Sequence, residues 1–177
     1  MKIYLETERM VLREFTINDI DNLVDLDSNP EVTRYINGGK TTSRKYIEEQ
    51  VMPRILAYYE SYHEQGIWAA INKEDDEFMG WFHLRPNHSD KTETELGYRL
   101  KQPYWGQGFA TEGSLALLDK GFNQLEVDVI VAIADPDNIA SRRVMEKVGL
   151  KFEIEYPEAD DFVVVKYRLQ RKDYTHK

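Results

Sequence analysis

The sequence "YWGQGFATEG" (Tyr104–Gly113) decides how the chain folds. Gly106 and Gly108 stand two residues apart, and helix-forming residues follow them directly. Glycine reaches positive φ without steric cost and lets a ligand approach the backbone closely. The start of a helix also offers unpaired N–H groups and the positive end of the helix dipole. The pattern indicates a main-chain cradle for a diphosphate, although a plain strand-to-helix turn has the same spacing.

Two better-known phosphate-binding motifs are excluded by single residues. The dinucleotide fingerprint G-x-G-x-x-G needs glycine at position 111, where the chain has Thr111. The stretch "GGKTT" (Gly38–Thr42) lacks the first glycine of a P-loop, because Arg34 stands at that position. The cradle is therefore of another kind.

Hydrophobic periodicity predicts an α/β chain with a mixed sheet. A strand is predicted at Arg9–Phe15, and Thr16 with Asp19 forms a capping pattern for the helix that follows. Asn29-Pro30 should end or kink that helix, and Pro53 should kink the next one. The other predicted elements are strands at 67–71, 78–84, 94–100, 127–134, 152–156 and 161–169, and helices starting near Phe109 and Asn138.

Composition favours one ordinary globular domain spanning residues 1–177. Apolar residues make up 41% of the 177 residues and charged residues 31%, with a net charge of −9. This charge disfavours a nucleic-acid partner and mildly favours cationic ligands such as amines. The chain has no cysteine, which excludes disulfides, thiolate metal sites and a cysteine nucleophile. The N-terminal stretch has no apolar run of secretory or membrane-spanning length, so we expect a cytoplasmic protein with no membrane partner.

Separated stretches in a fixed order resemble the GNAT superfamily of acetyl-CoA-dependent N-acetyltransferases. They are "TERMVLREFTINDID" (Thr7–Asp21), "ELGYRL" (Glu95–Leu100), the glycine stretch and "DPDNIASRRVMEKVGLKFE" (Asp135–Glu153). The family's pyrophosphate loop, Gln/Arg-x-x-Gly-x-Gly/Ala, falls on residues 105–110, with Trp105 in place of Gln or Arg. In this loop the chain resembles the RimJ/RimL branch, in which "YWGxGFATE" is usual.

The resemblance implies the fold and the cofactor site. We expect a single-domain GNAT fold, in which a mostly antiparallel mixed sheet splays at its centre and helices cover both faces. The pantetheine arm of acetyl-CoA would enter the split between the strand ending at Leu100 and the strand at 127–134. The implied cofactor-binding residues are Leu100, Trp105, Gly106, Gln107, Gly108, Phe109, Ala110, Thr111, Asn138, Ser141 and Arg142. Asn138 also suits a simple N-cap, and Arg142 with Arg143 also suits a solvated helix face.

The implied reaction is attack of a neutral amine on a thioester. An alkylamine with a pKa near ~10 arrives protonated and must lose a proton. Glu95 is the candidate base, ahead of Glu93 and Glu112, although it also suits a surface strand position. Many GNAT enzymes protonate the leaving thiolate with a tyrosine seven residues after the helix-start Asn, where this chain has Met145. Ser141 or Tyr104 could take that role.

We therefore expect an N-acetyltransferase that moves acetyl from acetyl-CoA to a protein N-terminal α-amine or a small-molecule amine. The alternative is a non-catalytic acyl-CoA-binding or sensing domain of the same fold. The resemblance is compatible with a homodimer, and it places the loop 37–43 at the acceptor pocket. Trp81 or Phe82 could wall that pocket. We expect no metal site, since the spacing of His83, His88 and Asp90 matches none.

Overall fold

The computed structural model describes residues 2–62, 64–158 and 162–175. Within these residues, one mixed sheet holds eight strands in the order β1-β2-β3-β4-β5-β6-β8-β7. Every neighbouring pair is antiparallel except β5 and β6, which are parallel. The strands are β1 (Ile3–Glu6), β2 (Met10–Glu14), β3 (Gly66–Asn72), β4 (Phe78–Pro86), β5 (Thr94–Leu100), β6 (Val129–Ala134), β7 (Lys151–Pro157) and β8 (Val163–Gln170).

Helices cover both faces of the sheet. They are α1 (Ile20–Ser28), α2 (Pro30–Asn37), α3 (Arg44–Tyr46, Ile47–Val51 and Met52–Ser61), α4 (Phe109–Asp119 and Lys120–Gln124) and α5 (Ile139–Lys147). On one face, α1 to α3 bury a core that includes Leu26, Ile55 and Phe78. On the other face, α4 and α5 bury a larger core around Phe82 and Leu117. The sheet is thus buried on both sides at its centre, which is the layered α/β architecture that the periodicity predicted.

The turn before α1 is fixed by the predicted capping pattern. Thr16 N–H donates to the Asp19 carboxylate at 2.8 Å, and Thr16 and Asp19 form a capping box. The short 3₁₀ turn Ile17–Asp19 then leads into α1. Arg13 on β2 forms a buried ion pair with Asp19, so the cap is also tied to the sheet.

Proline shapes α2 and α3 in different ways. Asn29 caps α2 by accepting a hydrogen bond from Glu31 N–H at 2.9 Å, and Pro30 takes the first helical position. The sequence predicted an end or kink there, and the structure has an end followed by a new helix. Pro53 lies just after the π-helical turn Ile47–Val51. Because proline has no N–H to donate to the preceding turn, a wider turn replaces regular α-helix before it, where the sequence predicted a kink.

Some predicted bounds were incomplete. β1 was not predicted, because its four residues carry little periodicity and depend on pairing with β2. The strand predicted at 127–134 begins at Val129 and is fully buried only at Ile130, Val131 and Ala132. The last predicted strand begins on Asp161, which lies outside the described residues, and the structure has β8 from Val163.

The predicted splay lies between β5 and β6. Their parallel ladder contains only two residue pairs, Thr94 with Ile130 and Glu95 with Val131. β5 continues to Leu100 in full register with β4, whereas the continuation of β6 pairs only with β8. The two strands therefore part beyond Glu95, and a cleft opens inside the sheet.

Gly113 tests how tightly α4 packs on the sheet. A Cβ added there would lie 2.4 Å from Phe82 Cζ, in the core beneath the helix. We expect Gly113→Ala to destabilise the protein by about 1–3 kcal/mol, although alanine is the better helix former. Urea unfolding measures this change. The cost should shrink in a Phe82→Leu background, and an equal cost in both backgrounds would contradict the packing argument.

Candidate active site

The cleft between β5 and β6 has a volume of about 160 Å³ and is open to solvent. Strands β4 and β5 supply one wall, and α5 with the end of β6 supplies the other. Ile36, near the end of α2, also reaches the cleft. The residues that line the cleft include Ile36, Trp81, His83, Glu95, Gly97, Tyr98, Arg99, Ser141 and Met145.

The predicted glycine cradle lies between β5 and α4. Gly106 and Gly108 have φ values of +71° and +87°, and Gly108 is the N-cap of α4 without a side-chain cap. A Cβ on Gly106 would meet nothing within 4 Å. The first N–H groups of a helix have no intrahelical partners. This exposed loop therefore has main-chain N–H groups at the positive end of a helix dipole, which is a geometry suited to an anion.

Trp105 holds the loop in place. Its indole Nε1–H donates to the Leu100 carbonyl at 2.8 Å, and its main-chain N–H donates to the Gln102 carbonyl at 3.1 Å. The sequence placed residues 105–110 in the cradle as N–H donors. The N–H of Trp105 is already used, so the cradle begins at Gly106. The Leu100 carbonyl is likewise engaged.

Arg9 fixes the same loop from the other side, and the sequence did not reveal this. Its Nε–H donates to Glu112 Oε2 at 2.7 Å, and its main-chain N–H donates to Glu112 Oε1 at 2.9 Å. Nη1–H donates to the Gln107 carbonyl at 3.0 Å, and the guanidinium lies 4.1 Å from the Phe109 ring centroid. Arg9 thereby neutralises a carboxylate in the first turn of α4 that would otherwise repel an anion.

The start of α5 faces the cleft. Asn138 accepts a hydrogen bond from Ser141 N–H at 3.1 Å and so caps the helix. Ser141 lines the cleft. Arg142 donates to the Tyr167 hydroxyl at 3.2 Å and to the Pro136 carbonyl at 3.0 Å, whereas Arg143 is exposed. The capping role of Asn138 is thus present, and Arg142 is anchored rather than freely solvated.

Glu95 lies at the base of the cleft among charged neighbours. Arg85 Nη2–H donates to its Oε1 at 2.9 Å, and His83 Nε2 lies 3.2 Å from the same oxygen. Burial alone would raise the pKa of Glu95, but His83 and the Arg85 guanidinium outweigh it and lower the pKa to about 2. Glu95 is therefore ionised at physiological pH, and it is not a surface strand residue.

The other two predicted carboxylates, Glu93 and Glu112, form ion pairs outside the cleft. Glu93 is buried and forms ion pairs with Lys166, at 2.7 Å, and with Arg168 on β8. Glu112 belongs to the Arg9 contact described above. Neither residue lines the cleft. Among the three predicted carboxylates, Glu95 alone reaches it.

Met145 lies in the cleft wall, and two hydroxyl groups lie near it. Burial raises the pKa of Tyr98, with the Ser141 hydroxyl as a smaller opposing influence, so Tyr98 stays protonated and can donate. Both side chains line the cleft, whereas Tyr104 does not. Tyr98 was missed because "ELGYRL" gives no sign of which of its side chains faces the split.

The aromatic and histidine residues named from the sequence lie in different environments. Trp81 lines the cleft, but Phe82 is fully buried in the core of the α4 face. Ile36 reaches the cleft from the end of α2, just before the loop that was expected there. His88 is exposed, whereas His83 is buried and lines the cleft. In the described parts of the chain, no group of three or more His, Asp or Glu residues is arranged to hold a metal ion.

The structure thus places a glycine-led helix start beside a split in the sheet. Residues 9–151 match the acetyltransferase (GNAT) domain family. The chain is 29% identical over 175 residues to the uncharacterised N-acetyltransferase p20 of Bacillus licheniformis, covering 96% of this chain and 97% of that protein. The chain belongs to the GNAT acetyltransferase family.

Solved structures agree with this fold. An acetyltransferase from Agrobacterium tumefaciens superposes with a TM-score of 0.78 at 25% identity, over 94% of this chain and 93% of that one. RimL, a ribosomal L7/L12 alpha-N-protein acetyltransferase in complex with coenzyme A, superposes with a TM-score of 0.80 at 19% identity, over 96% and 98%. The expected enzyme class is confirmed, and the non-catalytic alternative is not favoured. The sheet splays as predicted.

No helix in the described ranges combines the length and the apolar character needed to cross a membrane.

Replacing Arg9 should loosen the cradle without unfolding the sheet. In Arg9→Gln the ion pair and the contact to the Gln107 carbonyl are lost, so we expect faster amide hydrogen exchange across residues 106–112. Exchange in β4 should stay unchanged. Arg143→Gln, at an exposed position, is the matched control and should leave both segments unchanged. Unaltered exchange at 106–112 in Arg9→Gln would show that Arg9 does not hold the loop.

Proposed function

We propose that the protein transfers an acetyl group from acetyl-CoA to a primary amine by direct attack. The observation that carries the proposal is the glycine cradle at Gly106–Gly108 next to a cleft that opens inside the sheet. Family membership supports the acetyl donor, since GNAT acetyltransferases use acetyl-CoA. Direct transfer is also favoured because the chain has no cysteine to form an acyl-enzyme thioester.

The cradle fits the diphosphate of coenzyme A. We assign it to the main-chain N–H groups of Gly106, Gln107, Gly108, Phe109, Ala110 and Thr111, with Trp105 shaping the loop. The pantetheine amides would pair with β5 beyond Glu95, as an added strand would. Leu100, Asn138, Ser141 and Arg142 would border the rest of the cofactor. Acetyl-CoA, when bound, supplies the activated thioester.

Glu95 is our candidate for the acidic group beside the acceptor. Its carboxylate is ionised, lines the cleft and is fixed by Arg85. It can therefore attract a cationic amine and accept a hydrogen bond from it, directly or through water. A carboxylate with a pKa of about 2 is a weak base, so it orients the amine better than it retains the amine's proton.

Ser141 is our candidate donor to the leaving thiolate. Met145, which stands where a tyrosine is usual, has no proton to give, and Ser141 lies on the same side of the cleft. A thiol has a pKa near ~8.5 and leaves readily, so a hydrogen bond is sufficient assistance. Main-chain N–H groups of β5 are the candidates for stabilising the oxyanion.

The acceptor we propose is a protein N-terminal α-amine or a small-molecule amine. The net charge of −9 supports a cationic acceptor rather than a nucleic acid.

We further propose a cytoplasmic location, supported by the lack of cysteine, and a homodimer. β7 is an exposed edge strand with Phe152 and Ile154 on its surface, and it supports a self-association site.

A screen of amines tests the activity. Purified protein should release free CoA from acetyl-CoA only when a suitable amine is present. N-terminal peptides, polyamines, amino acids and aminoglycosides form the panel. Mass spectrometry should find a 42 Da acetyl adduct, about the mass of CH₃CO replacing H, on an amine nitrogen. No release with any amine, together with no binding of acetyl-CoA by calorimetry, would refute the proposal.

Gly108→Val tests the cradle separately from the chemistry. Valine is strained at φ +87° and its branched side chain would approach Arg9, so the N–H groups should lose their alignment. We expect CoA affinity to fall at least about tenfold, or ~1.4 kcal/mol. Gly38→Val is the matched control, because Gly38 has φ +72° at the end of α2, away from the cradle. Equal CoA affinity in both variants would place the phosphates elsewhere.

A further inference from the structure

His83 lies where the two strands part. On β4 it pairs with Gly97 of β5, two residues beyond the last pair that joins β5 to β6. Its side chain is 7% exposed and lines the cleft. A reacting thioester that follows β5 into the split must pass this point. The histidine is thus at the junction of the donor path and the carboxylate proposed to meet the acceptor.

Because Gly97 has no side chain, the His83 imidazole can lie against the β5 backbone. A Cβ on Gly97 would lie 2.6 Å from His83 Nε2 and 2.7 Å from Cε1, so no other residue type leaves the ring this close to the β5 backbone. Nε2 is also the ring atom 3.2 Å from Glu95 Oε1. Because Nε2 lies beside an ionised carboxylate, it carries the proton of the neutral ring, and Nδ1 is the ring nitrogen that can accept one.

We propose that His83 is the proton acceptor of the transfer reaction and that Glu95 stabilises the imidazolium formed. The proposal rests on the proposed function. It adds a catalytic residue to the site and gives Glu95 a second role besides orienting the amine. The arrangement follows the general logic of a base whose charged form is stabilised by an adjacent carboxylate.

The imidazole is in the form that accepts a proton. Burial lowers the pKa of His83, the charges of Arg85 and Arg99 lower it further, and Glu95 opposes them. The ring is therefore neutral at physiological pH. The groups around it are Arg85, Glu95 and Arg99, with Tyr58 against Arg85 and Asp27 against Arg99. The Asp27 pair offsets the charge of Arg99.

In the proposed step, the nitrogen of a neutral amine forms a bond to the thioester carbon while its N–H proton passes to His83 Nδ1, and Nε2–H stays beside Glu95. The carbon–sulphur bond breaks, and its electron pair stays on sulphur. The imidazolium, held beside Glu95, then gives the proton to the thiolate or to water. Amine plus acetyl thioester thus become amide plus thiol, and His83 returns to its neutral state.

The test compares His83→Gln with the unaltered protein from pH 9 down to the lowest pH at which both stay folded, using the most rapidly acetylated amine of the screen. The ratio of their kcat/KM values removes the ionisation of the acceptor, which is common to both. Above the pKa of His83 the variant should be about 10²–10³-fold slower. Below it the unaltered protein also lacks a base, so the deficit should shrink. In a Glu95→Gln background the onset of the deficit should move to lower pH, because the imidazolium has lost its stabilising charge.

Several readouts distinguish catalysis from packing. His83→Gln should bind acetyl-CoA within about threefold of the unaltered protein, and added imidazole should restore activity to His83→Ala. His88→Gln, at an exposed loop position, is the matched control and should be fully active. A fully active His83→Gln, or a His83→Ala whose activity added imidazole does not restore, would overturn the assignment of His83. If the unaltered protein acetylates no amine, the proposed function fails instead.

Discussion

The structure depends on a sheet that is joined at its centre by only two residue pairs. Beyond Thr94–Ile130 and Glu95–Val131, β5 keeps β4 on one side and has no strand on the other. Strand edges carry N–H and C=O groups that need partners, and most proteins cover or blunt them. Here the open edge lies inside the molecule with helices on both faces. A ligand whose amides can complete that edge is therefore the natural occupant.

The charged residues around the split suit the same kind of ligand. The protein carries a net charge of −9, and the cradle we propose for the diphosphate consists of glycine N–H groups and a helix dipole instead of lysines. The carboxylates nearest the site are each matched with cations: Glu112 with Arg9, Glu93 with Lys166 and Arg168, and Glu95 with Arg85. This pairing keeps an acidic protein from repelling a phosphate-bearing ligand while one ionised carboxylate remains at the acceptor side.

Features that depend on neighbouring residues were predictable from the sequence, whereas contacts between residues far apart in the chain were not. The positive φ of Gly106 and Gly108 and the cap at Thr16 depend on the residue itself or on one three positions away, so these conformations follow from spacing. Arg9 and Glu112 are 103 residues apart, and only the fold brings them together. His83 looked like one of several scattered histidines, because nothing in "FMGWFHL" shows that a glycine of β5 stands opposite it. Pro53 predicted a disturbance of α3 but not its form as a π-helical turn.

A crystal structure with acetyl-CoA bound tests the central claim most directly. The account predicts diphosphate oxygens about 2.7–3.2 Å from main-chain nitrogens between Gly106 and Thr111. It also predicts pantetheine amides paired with β5 beyond Glu95, and the thioester carbon near His83. A cofactor bound outside the split, with β5 still unpaired along that edge, would contradict it.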